Sequence, residues 1–250
     1  MKRIMKPAER LVVAADFTPI PGETTPDHVR RQVLNLADSL AGSGVYIKVN
    51  SALRMVGYGL IRSIKECGLK VFADLKICDV PCTMATDAEY MWQCTPDILT
   101  VMCGAGPLGI RRIKGELPST ELLGVTVLTS LTPLEVSGLY TGTILEVVER
   151  LASQTIASGL DGLVCSPWEV DVIRRVIPKS EYRTINTPNV RPAWISVHND
   201  DQEPSRTMTP KQAIQAGADR IIVGRPITRP PAGFSSRDIV DSILDEIDGT

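Results

Sequence analysis

The strongest constraint on this chain is its alternation of short apolar runs with longer amphipathic ones. LVVAA (11–15), VYIKV (45–49), KVFADL (70–75) and DILTVM (97–102) each have the length and β-branched content of a buried strand. ELLGVTVL (121–128), GLVC (162–165) and DRIIVG (219–224) continue the series. Either YRTIN (182–186) or AWISV (193–197) supplies a seventh strand before the last. The stretches between read as helices, over 27–41, 51–66, 83–93, 107–114, 144–159 and 170–177. Two more run from Thr209-Pro210 to Gly217 and over 236–248. In 27–41, Val29, Val33, Leu36, Ala37 and Leu40 lie near helical spacing, and Gly42 and Gly44 end the pattern. Strands that are apolar on both faces and separated by helices belong to a parallel sheet. About eight βα units in 250 residues fit a (β/α)8 TIM barrel, an α/β fold. No composition break or Ser/Gly-rich linker divides the chain, so residues 1–250 are expected to form a single catalytic barrel domain. A doubly wound open sheet is the alternative. It usually carries a Gly-rich loop after its first strand, and Asp16-Phe17-Thr18-Pro19 stands there instead.

Composition narrows the partners. Lys and Arg number 27 against 29 Asp and Glu, so the net charge of −2 offers no attraction to nucleic acid or to an anionic membrane. His28 and His198 are the only histidines, which disfavours a multi-histidine metal site, and no metal is expected. His28, at a helix start, reads as a surface residue, and His198 as a loop residue. The six cysteines, Cys67, Cys78, Cys82, Cys94, Cys103 and Cys165, form no CxxC pair and read as reduced, packed thiols of a cytoplasmic protein. Pro81 between Cys78 and Cys82 argues against a metal pair there. The apolar run before Asp16 is too short for a signal peptide, and no stretch approaches the roughly 18 apolar residues of a membrane span. Trp92, Trp168 and Trp194 are scattered and read as packing residues. Cys103-Gly-Ala-Gly-Pro lacks a P-loop lysine and reads as the turn after the fourth strand.

The charges at strand ends are the informative ones, because active sites of such barrels gather at the C-terminal ends of the strands. Asp16 ends the first strand, Lys48 interrupts the second, and Asp74 and Lys76 end the third, with Asp79 close behind. Asp74 and Lys76 are two apart, so an extended backbone aims both at one face, the barrel axis. Packed hydrophobes would usually be no less stable than buried charges, so the cluster calls for a chemical reason. Two lysines and two aspartates suit a decarboxylation. An aspartate repels a substrate carboxylate, and the neighbouring ammonium meets the carbanion left when carbon dioxide departs. The residues themselves require no cofactor.

FADLKICDVPCT (72–83) resembles the Asp-x-Lys-x-x-Asp-Ile/Val-Pro-x-Thr signature of orotidine 5′-monophosphate decarboxylases. The resemblance extends over YIKVN (46–50), VTVLTSL (125–131), TPNVRP (187–192), Asp201-Gln202 to Arg206, and GADRIIVGRPIT (217–228). It implies conversion of orotidine 5′-monophosphate to UMP, the last step of de novo pyrimidine biosynthesis, by a cytoplasmic homodimer with shared sites. It assigns Lys48, Asp74, Lys76 and Asp79 to the catalytic network, with Lys76 as proton donor to C6 of the pyrimidine. It places Asp79 and Thr83 in the neighbouring subunit's site, Asp16 and Lys48 on ribose hydroxyls, and Thr129 on the pyrimidine. Arg191, Gln202, Gly224 and Arg225 become the phosphate grip, under a lid from 187 to 208. The grip also has a physical reading: Gly224 lets backbone N–H groups approach an anion, and Arg225 offers a planar fork of donors.

Some positions depart from the family pattern. Asn189 stands where the family commonly has Gly, and Asn also tolerates left-handed backbone angles. Glu203-Pro204-Ser205 and the Arg-Pro-Pro-Ala-Gly tail after Thr228 are also unusual. Asp-x-Lys-x-x-Asp is shared with metal-dependent sugar-phosphate enzymes, but those need another acidic ligand near Asp74, and Asn50 after the second strand is not acidic. A non-enzymatic barrel that binds a nucleotide or anion as a regulator is the third reading.

Overall fold

A computed structural model describes residues 5–177, 183–195 and 207–248. Its eight strands are β1 (Leu11–Ala14), β2 (Tyr46–Val49), β3 (Lys70–Ile77), β4 (Ile98–Met102), β5 (Glu121–Val125), β6 (Gly162–Val164), β7 (Thr184–Thr187) and β8 (Arg220–Val223). They follow one another in chain order around a closed barrel. All neighbours are parallel, and β8 closes onto β1 through Leu11↔Ile221 and Val13↔Val223. The closure gives the expected (β/α)8 barrel and excludes the open sheet. The seventh strand falls on the first of the two candidate segments. Ala193 and Trp194 form a turn, and residues 196 and 197 of the second segment lie outside the described residues.

The helices are α1 (Pro26–Ser39), α2 (Ser51–Val56), α3 (Gly59–Glu66), α4 (Pro81–Met91), α5 (Gly106–Glu116), α6 (Pro133–Leu139), α7 (Ile144–Ala157), α8 (Val170–Val176), α9 (Pro210–Gln215), α10 (Arg225–Thr228) and α11 (Ser236–Asp248). Proline starts many of them, where its missing N–H costs nothing. Thr132 with Glu135 and Thr209 with Gln212 add capping boxes at α6 and α9. The structure corrects several expectations. The segment 51–66 is two helices, because Gly57 turns the chain at φ 91°. The fifth strand stops at Val125, and α6 and α10 were not anticipated. Trp92, Trp168 and Trp194 are exposed rather than packed. Cys103 and Cys165 are buried as expected, whereas Cys78 and Cys82 are exposed. His28 is half-buried rather than on the surface, with its Nε2 enclosed. No helix among the described residues is long and apolar enough to cross a membrane.

Strand alternation sorts the core into two layers. Val12, Tyr46, Phe72, Ile98, Leu123 and Ile222 fill the barrel interior. Their chain neighbours, including Val13, Ile47, Val71, Leu99 and Ile221, pack outward against the helices. Each such side chain contributes about 1.5–3 kcal/mol of burial. The barrel floor is polar. Arg220, 2% exposed, grips Glu121 with two parallel bonds of 2.7 and 2.8 Å. It also donates to Asn186 Oδ1 and the Glu9 carbonyl, and lies over the Tyr46 ring. Thr184 Oγ1 donates to the same glutamate.

Gly162 is required beside this network. A Cβ there would collide with the Thr184 carbonyl and hydroxyl and press on Leu123. Gly162→Ala is expected to destabilise the fold by about 2 kcal/mol, as overpacking against backbone does. Urea denaturation measures this, and an unchanged midpoint would show that β6 and β7 can separate freely.

Candidate active site

Period-two alternation builds the site directly on the core. Lys48, Asp74 and Thr100 stand two residues beyond Tyr46, Phe72 and Ile98, so they continue the inward-facing columns toward the barrel mouth. Burial follows: Lys48 is 6% exposed, Asp74 8% and Thr100 0%. Lys48 Nζ lies 2.8 Å from Asp16 Oδ2 and 3.3 Å from Asp74 Oδ2. Lys76 Nζ lies 2.7 Å from the same Asp74 oxygen. The other oxygen, Oδ1, accepts from the Thr100 hydroxyl at 3.0 Å. Asp16, Lys48, Asp74 and Lys76 thus form one alternating chain of charge.

Lys76 reaches Asp74 through an irregular backbone. The β3–β4 pairing passes from Ala73↔Leu99 to Ile77↔Val101, which leaves Asp74, Leu75 and Lys76 opposite Thr100 alone. The strand therefore bulges and continues to Ile77, beyond the expected end at Leu75. Lys76 has φ 50°, an uncommon angle for a side-chain-bearing residue. Arg54 donates to the Leu75 carbonyl at 2.8 Å and supports the bulge from outside.

The network holds its charges. Burial would raise the Asp74 carboxyl, but the Lys48 and Lys76 charges outweigh it and hold the group below the usual carboxylate range. Burial would lower Lys48, but Asp74 and Asp16 outweigh it and hold the ammonium above its usual value. Among the described residues, no three His, Cys, Asp or Glu side chains are grouped so as to hold a metal ion.

The charged chain lines a cavity of about 570 Å³ at the C-terminal ends of the strands. Thr129, Arg191, Gly224 and Arg225 line the same cavity. Burial and the Arg225 charge lower Arg191, and both arginines line the cavity. Asn189 adopts φ 61°, the left-handed turn expected of it, just before Arg191. Val125, Val127, Val164 and Ile222 supply the apolar part of the lining. This is the chemistry of a pocket for a small anion with an apolar or aromatic middle.

Two predicted residues do not join the cluster. Asp79 is exposed and lines a second cavity of about 470 Å³, with Arg54, Tyr58 and Asp87. Thr83 is exposed on the first turn of α4. Lys76 borders both cavities. Gln202, Arg206, His198 and the 203–205 segment lie outside the described residues. The sequence reading missed Thr100, although a polar residue in the apolar run DILTVM, two beyond Ile98, was the available signal.

Comparisons with known proteins converge on one family. The sequence model described as "Orotidine 5'-phosphate decarboxylase / HUMPS family" matches residues 9–232. An orotidine 5'-phosphate decarboxylase of Pseudomonas putida (strain GB-1) is 33% identical over 226 residues, 88% of this chain and 90% of that protein. One from Bradyrhizobium diazoefficiens is 34% identical over 246 residues, 96% of this chain and 94% of its own. The crystal structure of orotidine 5'-phosphate decarboxylase from Lactobacillus acidophilus superposes with a TM-score of 0.73 at 26% identity, covering 96% of this chain and 99% of that one.

The charge network predicts a pH profile of stability. Asp74 is lowered, so its contribution is present above the ordinary carboxylate pKa and lost as pH falls through the lowered value. Lys48 is raised, so its contribution is present below the ordinary lysine pKa and lost as pH rises through the raised value. Both are complete between about pH 4 and pH 10. Lys48→Ala removes one partner of a buried pair and is expected to cost about 3 kcal/mol at pH 7. It should also narrow the stable range on the acid side. Urea titrations across pH check both outcomes, and an unaltered acid limb would uncouple Lys48 from Asp74.

Proposed function

This chain belongs to the orotidine 5'-phosphate decarboxylase / HUMPS family, and from that premise we propose that it converts orotidine 5′-monophosphate to UMP and carbon dioxide without a cofactor. The observation that carries the reading is the Lys76 ammonium 2.7 Å from a buried, ionised Asp74, in a pocket with two arginines in its wall. The substrate's carboxylate sits against Asp74 and is repelled by it. The C6–carboxylate bond breaks, carbon dioxide leaves, and the electron pair stays on C6. The Lys76 ammonium stabilises that carbanion and transfers a proton from Nζ to C6. Solvent restores the proton to Lys76 after UMP departs.

The remaining residues position the substrate. Asp16 and Lys48 bind ribose hydroxyls, Thr129 meets the pyrimidine, and Arg191, Gly224 and Arg225 hold the phosphate with Gln202. Binding energy from the remote phosphate is then available to press the carboxylate onto Asp74. The lone pairs of Asp74 already receive two ammonium groups and a hydroxyl, an arrangement that suits a metal-free reaction.

We assign the active form to a homodimer in which Asp79 and Thr83 complete the neighbouring subunit's site. Their exposure, and their absence from the lining of this chain's own pocket, support that role. Val80 next to Asp79, and Tyr90 and Trp92 at the far end of α4, are exposed hydrophobic side chains as well. The whole chain, 1–250, acts as one cytoplasmic catalytic unit with no nucleic-acid partner. Its six free cysteines suit a reducing compartment.

Purified, EDTA-treated protein is expected to consume orotidine 5′-monophosphate, followed by absorbance, and Lys76→Ala is expected to lower kcat by at least about 10³-fold. No turnover by the unaltered protein would sink the reading, and dependence on added metal would favour a sugar-phosphate type of chemistry. Mixing inactive Lys76→Ala and Asp79→Ala chains should restore about a quarter of the activity, since half the chains enter hybrid dimers with one intact site of two. No recovery despite demonstrated subunit exchange would refute the shared site.

A further inference from the structure

Thr100 lies at the one place where the β3–β4 ladder fails. Three residues of β3 face this single residue of β4, where the regular register breaks. The Thr100 hydroxyl oxygen accepts the Lys76 N–H at 2.9 Å. Its own proton is therefore free to be donated, and it goes to Asp74 Oδ1 at 3.0 Å. A hydroxyl with one proton can make this pair of bonds in one sense only. Thr100 is fully buried and Asp74 nearly so, so water competes poorly with the hydroxyl for the carboxylate.

We propose that Thr100 is a positioning residue for the decarboxylation, fixing through one hydroxyl both the left-handed Lys76 backbone and the orientation of the Asp74 carboxylate. The inference rests on the proposed reaction and deepens it. Donation to Oδ1 leaves Oδ2 as the oxygen shared by Lys48 and Lys76. Lys76 combines an uncommon φ of 50° with an ammonium 2.7 Å from Asp74, two positions earlier. Without the hydroxyl, the Lys76 N–H loses this acceptor and Asp74 Oδ1 loses this donor, so the ammonium and carboxylate lose their set geometry. Thr100 is not among the residues lining the cavity that holds Arg191, Gly224 and Arg225; its hydroxyl serves Asp74 and Lys76.

The test compares Thr100→Ser with Thr100→Ala. Both delete the same methyl group, and only serine keeps the hydroxyl. Thr100→Ser is expected to retain kcat within about threefold, and Thr100→Ala to lose about 10- to 100-fold in kcat with KM for orotidine 5′-monophosphate little changed. The acid limb of the kcat profile should also move to higher pH in the alanine chain. Asp74 would lose a donor while Lys48 on β2, Lys76 on β3 and Asp16 after β1 remain. Thr100→Val, which keeps the shape, repeats the comparison if the alanine chain does not fold. Equal rates in the serine and alanine chains, or a loss confined to KM, would overturn the proposal. So would failure of both the alanine and valine chains to fold while serine folds, since the hydroxyl would then serve the fold alone. Turnover by the unaltered protein is measured alongside. Its absence would count against the reaction, whereas its presence with no serine–alanine contrast counts against Thr100.

Discussion

A single carboxylate oxygen, Oδ2 of Asp74, accepts from two ammonium groups, and the mouth of the barrel is organised around that sharing. Neither lysine could lie there alone without a large desolvation cost, and neither could the aspartate. Together with Asp16 they form an alternating row in which each charge has an opposite neighbour. The row is graded in exposure: Asp16 and Lys76 open toward solvent, while Lys48 and Asp74 are enclosed. A substrate entering from the open end therefore meets a charge pattern that is already in place. Preorganised charge of this kind favours a transition state without rearrangement during the reaction.

The same barrel carries a second buried ion pair, and its placement separates stability from chemistry. Arg220 and Glu121 begin their strands, whereas Asp74 and Lys76 lie toward the end of theirs. Arg220 is saturated by Glu121, Asn186 and the Glu9 carbonyl, with Tyr46 beneath it. A network with so many partners closes the floor. At the mouth, by contrast, the charges face a cavity. In parallel barrels the loops at the C-terminal ends of the strands are the ones free to vary and to bind, and it is there that the mouth network opens onto a pocket.

Much of this was legible in the chain. The barrel followed from strand-length apolar runs alternating with helical spacing, because fully apolar strands separated by helices belong to a parallel sheet and about eight such units fit its closure into a barrel. Lys48, Asp74 and Lys76 stood out because charge in such runs is costly. Less legible were features that depend on what lies across the sheet. Thr100 looks like an ordinary strand residue until the bulge places it opposite three residues of β3. The split of 51–66 at Gly57 and the exposed tryptophans depend on how helices meet their neighbours, and a local pattern does not record that. Asp79 and Thr83 belong to the signature in sequence yet leave this chain's pocket in space.

By itself, the sequence determined which side chains could supply the chemistry and on which strands they lie, because residue type and period-two alternation are local properties. Only the tertiary structure decided how those side chains share their bonds. The pairing of Asp74 Oδ2 with both lysines, the bulge of β3 opposite Thr100, and the placement of Arg191 and Arg225 on one cavity all involve different strands or loops. Their geometry is set by barrel closure and strand register, which bring distant parts of the chain within hydrogen-bonding reach and exclude the water that would otherwise separate the charges.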